Sequence, residues 1–201
     1  MRNILLILTA LLLSVHTYAQ KDAKAREVLD NTSQMLSRAG GIRATFGGST
    51  EGTLLLKGEC FYLEAGGVQS WFDGKTQWSY VEANGEVNIT SPTPGELQGI
   101  HPYAFLSLHK NGYDYKYIGA KTRNGKSGYE VVLTPERKQD ITAITLFVSK
   151  DYLPIYIKVE QQDMPAHEIV ITSCQTKQPL DDAAFRFDKA KFPDAEVIDL
   201  R

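Results

Sequence analysis

Residues 71–90 read WFDGKTQWSYVEANGEVNIT, and the architecture can be worked out from this stretch outward. Trp71 and Phe72 close one extended run, and Asp73-Gly74 offers a tight turn. Residues 77–82 form a second run carrying Trp78 and Tyr80, Asn84-Gly85 offers another turn, and residues 86–90 return. Asp-Gly and Asn-Gly favour hairpins because both supply residues that tolerate positive φ. Large aromatics alternate with polar residues along the middle run, so one side of this strand is apolar and the other wettable. With no metal-ligand cluster and no phosphate loop in it, the stretch suggests binding to an apolar surface.

The same rhythm extends outward. Upstream, residues 42–46, 52–57 and 59–64 read as strands, the last two paired around Gly58. Downstream, the pattern resumes at residues 113–118, 129–134, 141–149, 154–160 and 168–174. Turn signals at roughly 8–12-residue spacing are the mark of an antiparallel sandwich or barrel. No long helix separates these strands, which argues against a parallel sheet. Before them, Asp22 is a plausible N-cap for an amphipathic helix over 23–38, with Ala25, Val28, Leu29, Thr32 and Leu36 at helical spacing and Gly40-Gly41 as its stop. Residues 92–111 interrupt the strands with one or two short apolar helices, the second opened by Pro102.

Residues 1–19 read as a secretory signal: Arg2, an apolar core over 4–15, and a cleavage site at Thr17-Tyr18-Ala19, with Gln20 the first mature residue. No Cys follows the cleavage site, so no lipid anchor is expected there. The expected product is an exported, periplasmic protein of about 180 residues, enough for one domain spanning 20–201. Lys and Arg number 22 against 24 Asp and Glu, a net charge of −2 that gives no electrostatic basis for binding nucleic acid. Export permits a disulfide between Cys60 and Cys174. Simple alternation puts both on an outward face, which allows that bond without requiring it.

Parity assigns an apolar side strand by strand. It carries Leu54 and Leu56, then Phe61 and Leu63, then Trp78, Tyr80, Val87 and Ile89 of the opening hairpin. Tyr113, Tyr115 and Tyr117 continue it, followed by Val131 and Leu133, then Ile144, Leu146 and Val148. Ile155, Ile157, Val159, Ile169 and Ile171 complete it, while Lys57, Gln77, Ser79 and Asn88 take the opposite side. Parity admits two arrangements: an ordinary closed core, or a curved sheet whose concave face is a lipid cavity partly lidded by helices.

Catalytic motifs are missing. His101, His109 and His167 form no H-x-x-x-H or H-E-x-x-H pattern, and no G-x-S-x-G occurs. Gly47-Gly48-Ser49-Thr50 lacks the lysine of a phosphate loop, and Asp181-Asp182 reads as a solvated turn. No enzymatic activity, metal or cofactor is expected.

FDGKTQWSY followed by NGEVNIT resembles the D-G-K-x-x-W-x-Y segment of LolA-type outer-membrane lipoprotein carriers. His101-Pro102, YEVVLTP at 129–135, IKVEQQD at 157–163, DAAFRF at 182–187 and EVIDLR at 196–201 follow in the family's order. The WFDG start and the EVIDLR end resemble Bacteroidota members. The resemblance implies an α+β fold: a strongly curved antiparallel β-sheet, an incomplete β-barrel, with helices covering its concave face. It implies no catalysis and no cofactor. The implied role is a monomeric carrier that takes acylated lipoproteins from an inner-membrane ABC transporter across the periplasm, with the outer-membrane acceptor left open. Joined to parity, it implies a lipid cavity lined by Leu54, Leu56, Phe61, Leu63, Trp78, Tyr80, Val87, Ile89, Tyr115, Tyr117, Val131, Leu133, Leu146 and Ile157, under a lid carrying Tyr103, Phe105 and Leu106. Enteric members follow their second strand with a basic residue and Pro, where this chain has Lys57-Gly58-Glu59. Divergent relatives of this fold sense envelope stress or bind glycolipids, which gives a ligand-sensing module as the alternative; an envelope lipid-modifying enzyme is the weakest third reading.

Overall fold

Asp22 starts the first element. Its Oδ1 accepts from the amides of Lys24 and Ala25 at 2.9 and 3.0 Å, capping helix α1 (Ala23–Arg38). The apolar stripe is buried as its spacing predicts, and Thr32 hides its hydroxyl by donating to the carbonyl of Val28 at 2.8 Å. The computed structural model describes residues 22–102, 104–110 and 112–201, and of residues 98–100 and 104–106 the backbone path alone. The expected signal segment therefore lies outside the described residues.

Among the described residues twelve strands follow: β1 (Ile42–Gly48), β2 (Gly52–Lys57), β3 (Cys60–Ala65), β4 (Val68–Phe72), β5 (Gln77–Val81), β6 (Glu86–Thr90), β7 (Tyr113–Arg123), β8 (Lys126–Pro135), β9 (Ile141–Ser149), β10 (Pro154–Gln161), β11 (Met164–Gln175) and β12 (Glu196–Asp199). Helix α2 (Pro94–Ile100) and a 3-10 segment (Ala104–Lys110) separate β6 from β7. Thr93 and Glu96 form a capping box that starts α2 at Pro94.

All the strands join one sheet in the order β12-β6-β5-β4-β3-β2-β1-β11-β10-β9-β8-β7. Its curvature follows from what the helix touches. The stripe of α1 shares one apolar cluster with Leu56, Phe61 and Phe72 of β2–β4 and with Tyr115, Val131 and Leu146 of β7–β9. In a flat sheet the eight strand spacings between β4 and β7, at about 4.8 Å each, would hold those groups roughly 40 Å apart, against a helix about 10 Å across. The sheet therefore curls around α1 and stays unclosed, an incomplete barrel with the helix on its concave face. One pairing departs from the antiparallel expectation: β12 adds to β6 in parallel. The connection from β11 to β12 is long enough to cross the outside of the sheet, which makes a parallel partner available.

Register corrects one part of the parity reading. Leu54 faces Leu63 and Leu56 faces Phe61, so these four share the concave side. Phe61 then pairs with Phe72, and Phe72 with Gln77, which carries the concave side to Gln77 and Ser79. Trp78 pairs with Trp71 and Ile89, and Tyr80 with Val87, on the other side. Trp78, Tyr80, Val87 and Ile89 thus point to the convex face, opposite Leu54, Leu56, Phe61 and Leu63. The reason is local. Trp71 and Phe72 are adjacent and both apolar, so composition does not reveal which of them continues the face of Phe61; hydrogen-bond register decides it. Ile155 likewise leaves the concave set and packs with Phe147, Tyr156 and Val170.

Candidate functional site

The concave face has two zones. Beneath α1 it is filled: Leu56, Phe61, Tyr115, Val131, Leu133 and Leu146 are buried against the helix stripe, and Tyr117 packs at the margin. The helix is seated by Asp22, whose Oδ2 accepts from the Tyr117 amide at 2.9 Å beside a register shift in β7. That hydrogen bond, with those from Ala25 and Lys24, holds the Asp22 carboxyl below its usual range. At its far side α1 meets the 3-10 segment, where buried His109 places Nε2 3.0 Å from Asp30 Oδ1.

Past the helix the concave face is open. A cavity of about 420 Å³ lies there, within the size range of small-molecule sites. Leu54, Leu63 and Ile157 of the expected set line it, with Phe46, Ile169 and Ile171. Ala44, Ala65 and Pro102 add to the apolar wall, and Thr50, His167 and Cys174 are its polar contributors. Among the described residues that line it there is no acid, lysine or arginine. Phe46 reaches the cavity by lying across Gly52, where an added Cβ would fall 2.4 Å from the ring; that glycine was the readable signal for it.

Cys174 was missed for a different reason. Ile169 and Ile171 share a face, so alternation sends residue 174 to the other one. The β1–β11 pairing shifts register between Thr45 and Phe46, leaving Thr172 as the extra residue, and Cys174 then pairs with Ala44 on the concave side. Cys60 pairs with Lys57 on the convex side. Both thiols are free, and the intervening sheet explains why no bond joins them. Loss of water on burial pushes the pKa of both thiols up.

The expected lid falls mostly outside view. Tyr103, and the side chains of Phe105 and Leu106, lie outside the described residues; beside them Pro102 lines the cavity, and Leu97 and Leu108 pack on the core. His101 sets its ring edge-on to Phe61 at 5.6 Å, and burial pushes its pKa down. Lys57, the last residue of β2, points outward. It donates to the carbonyl of Leu180 at 3.0 Å and to Asp182 Oδ1 at 2.8 Å, tying down the chain that leads to β12.

That chain covers the convex face of β3–β6. Trp71 meets Phe187 and Phe192 edge-on at 5.6 and 5.8 Å, and Tyr80 meets Phe192 at 4.8 Å. Val87 and Phe185 are fully buried nearby. Arg186 reaches Asp73 in the hairpin turn at 3.2 Å. The hairpin aromatics Trp71 and Tyr80 thus anchor the C-terminal arm rather than line the cavity.

Comparison with curated proteins found no match. Among solved structures, the chain is similar to an uncharacterized conserved protein from Thermus thermophilus, with a TM-score of 0.64 and 17% identity over 88% of this chain and 99% of that one. It is also similar to the lipoprotein LppX of Mycobacterium tuberculosis, with a TM-score of 0.51 and 8% identity over 80% and 98% of the two chains. At such identities these likenesses speak for the fold. The sequence itself matches the family model of the outer membrane lipoprotein carrier protein LolA over residues 15–163, most of its length, and by that match the chain belongs to the LolA family.

Proposed function

We propose that this protein is a periplasmic carrier that holds the acyl chains of lipoproteins in its concave cavity and moves them from the inner toward the outer membrane. One observation carries the reading: a cavity of about 420 Å³ in the concave face, to whose walls the described residues bring no acid, lysine or arginine. An acyl chain exposed to water costs roughly 0.8 kcal/mol per CH₂. A carrier must offset that cost over an aqueous gap without a covalent bond, so that release stays feasible. In this reading residues 1–19 are removed on export and residues 20–201 act as one monomeric carrier domain. The donor is an inner-membrane ABC transporter, and neither catalysis nor a cofactor is involved. Leu54, Leu63 and Ile157 touch the chains, while Leu56, Phe61, Tyr115, Val131, Leu133 and Leu146 hold α1 beside them.

Native mass spectrometry of the protein purified from its own periplasm tests this. Co-purified lipoprotein, or uptake of a triacylated lipopeptide by the purified protein, is the expected result. A small bound lipid with no lipopeptide uptake would replace the carrier by a lipid-sensing module of the same fold. An empty protein that takes up no acylated ligand would overturn the reading.

A further inference from the structure

Strands β10 and β11 part beside the cavity. β10 and β11 pair from Tyr156 with Val170 to Gln161 with Met164, and beyond Tyr156 they part. Pro154 then pairs with Val148 of β9, while Ile171, Ser173 and Cys174 pair with β1. Two features of the sequence account for the parting. Pro154 has no N–H to give to a ladder. Both flanking ladders also shift register here, β9–β10 between Pro154 and Tyr156 and β1–β11 between Thr45 and Phe46. Pro154, Ile171 and Cys174 border the apolar cavity and also a second hollow of about 340 Å³, so the two meet at the split.

The second hollow has different chemistry. Lys126, Ser127, Ser149, Lys150 and Asp151 line it. The β9–β10 turn that carries Lys150 and Asp151 is held in one shape. Leu153 donates its amide to Ser149 Oγ at 3.1 Å, and Tyr152 donates its own to the Ser149 carbonyl at 3.0 Å. Tyr152 sits at φ +60°, a left-handed conformation that a bulky residue keeps only where its surroundings impose it, and its ring stacks on Tyr129 at 5.7 Å. Two ammonium groups against one carboxylate leave the hollow with an excess of positive charge. Among the described residues no acid pairs with either lysine at salt-bridge distance. The charge of Lys126 is felt at Cys174, where it draws the thiol down against the upward push of burial.

We propose that the split is a port and that the two hollows form one site for an amphiphile, its acyl chain in the apolar cavity and its negatively charged end, phosphate or carboxylate, at Lys126 and Lys150. This rests on the reading that the cavity accepts acyl chains and adds to it the chemistry of the polar end. The apolar wall cannot hold that charge, because an unpaired charge there would lose its water; the lysines beside the port can.

The test uses the neutral probe N-phenyl-1-naphthylamine to report the cavity, with dodecanol, dodecanoate and dodecyl phosphate as competitors. Wild type should bind the probe and release it to the charged competitors about five-fold more readily than to dodecanol, the size of effect that two exposed charge pairs supply. The exposed double variant K126E/K150E should keep its probe affinity and lose that preference. A preference for dodecyl phosphate alone assigns the end group as phosphate; one shared with dodecanoate assigns it as negative charge of either kind. Peptide-resolved alkylation should show Cys174 slowed by dodecyl phosphate and Cys60 unaffected. An unchanged preference in K126E/K150E, or an unprotected Cys174 while the competitor is bound, would overturn the port and leave the cavity standing. A wild type that does not bind the probe at all would instead remove the carrier reading beneath it.

Discussion

Across β1–β3 and β7–β11 the sheet is dry on its concave side, where α1 and the cavity lie; across β4–β6 it is dry on its convex side, where the C-terminal arm lies. In the second region only Phe72 joins the cluster under α1, and beyond it the concave side becomes largely polar. Ser70 and Ser79 face each other there with their hydroxyls 3.4 Å apart, and Gln77 meets Thr90. One continuous sheet therefore changes its buried face along its width. The change is possible because each face needs only a cover. The helix supplies one, and Phe187 and Phe192 of the arm supply the other. An apolar strand face thus marks where something packs, and the identity of the packing partner separates a ligand cavity from a structural anchor.

The largest expected effect tests the helix-covered zone. Leu133→Asp places an unpaired carboxylate at a fully buried position of the main cluster, and the expected outcome is loss of the folded protein by circular dichroism. A folded variant would mean that α1 does not seal this zone. The convex anchor should respond less drastically. Trp71→Ala removes the ring on which the arm closes, and core Trp→Ala changes cost about 3–5 kcal/mol. Denaturant unfolding should show a loss near the lower end of that range, with probe binding in the cavity retained. Loss of binding by a stably folded Trp71→Ala would join the two regions that the register separates.

A charge on each face makes the contrast sharper. Ile169→Glu, in the cavity wall, should reduce affinity for a neutral apolar probe at least ten-fold, since every 1.4 kcal/mol is a factor of about ten. Trp78→Glu, on the convex side beside Trp71, should leave that affinity within about two-fold, given a folded protein. The reverse ranking would place the cavity on the hairpin's aromatic face.

The smallest effect is one of pH. Burial depresses the pKa of His101, which lies against Phe61 on the concave side. Its folded pKa is below its unfolded one, so the unfolded chain takes up the proton first, and stability falls as pH drops through the unfolded value of about 6.5 toward the folded one. Melting at pH 5.5 should come at a lower temperature than at pH 7.5. Hydrogen exchange should rise first around β3 and α1, before the Trp71–Phe192 cluster. Equal loosening of both regions would remove His101 as the source.

The elements themselves were legible in the sequence. Asp22 and its stripe placed α1, the Asp-Gly and Asn-Gly turns placed the hairpin strands, and alternation held within the strands that run without a register shift, because a side-chain period of two is a property of extended backbone. The incomplete barrel came from the resemblance carried by collinear motifs. Which face of each strand became the inside was settled by pairing between strands, in three dimensions. Adjacent apolar residues such as Trp71 and Phe72 leave that register open, and one extra residue at Thr172 turns Cys174 from the convex face to the cavity wall. Tertiary packing also set how much of the concave face α1 fills. Leu54 and Leu63 line open space while Leu56 and Phe61, two residues along the same strands, lie under the helix. That distinction depends on where a helix comes to rest across strands far apart in the chain, which no local pattern encodes.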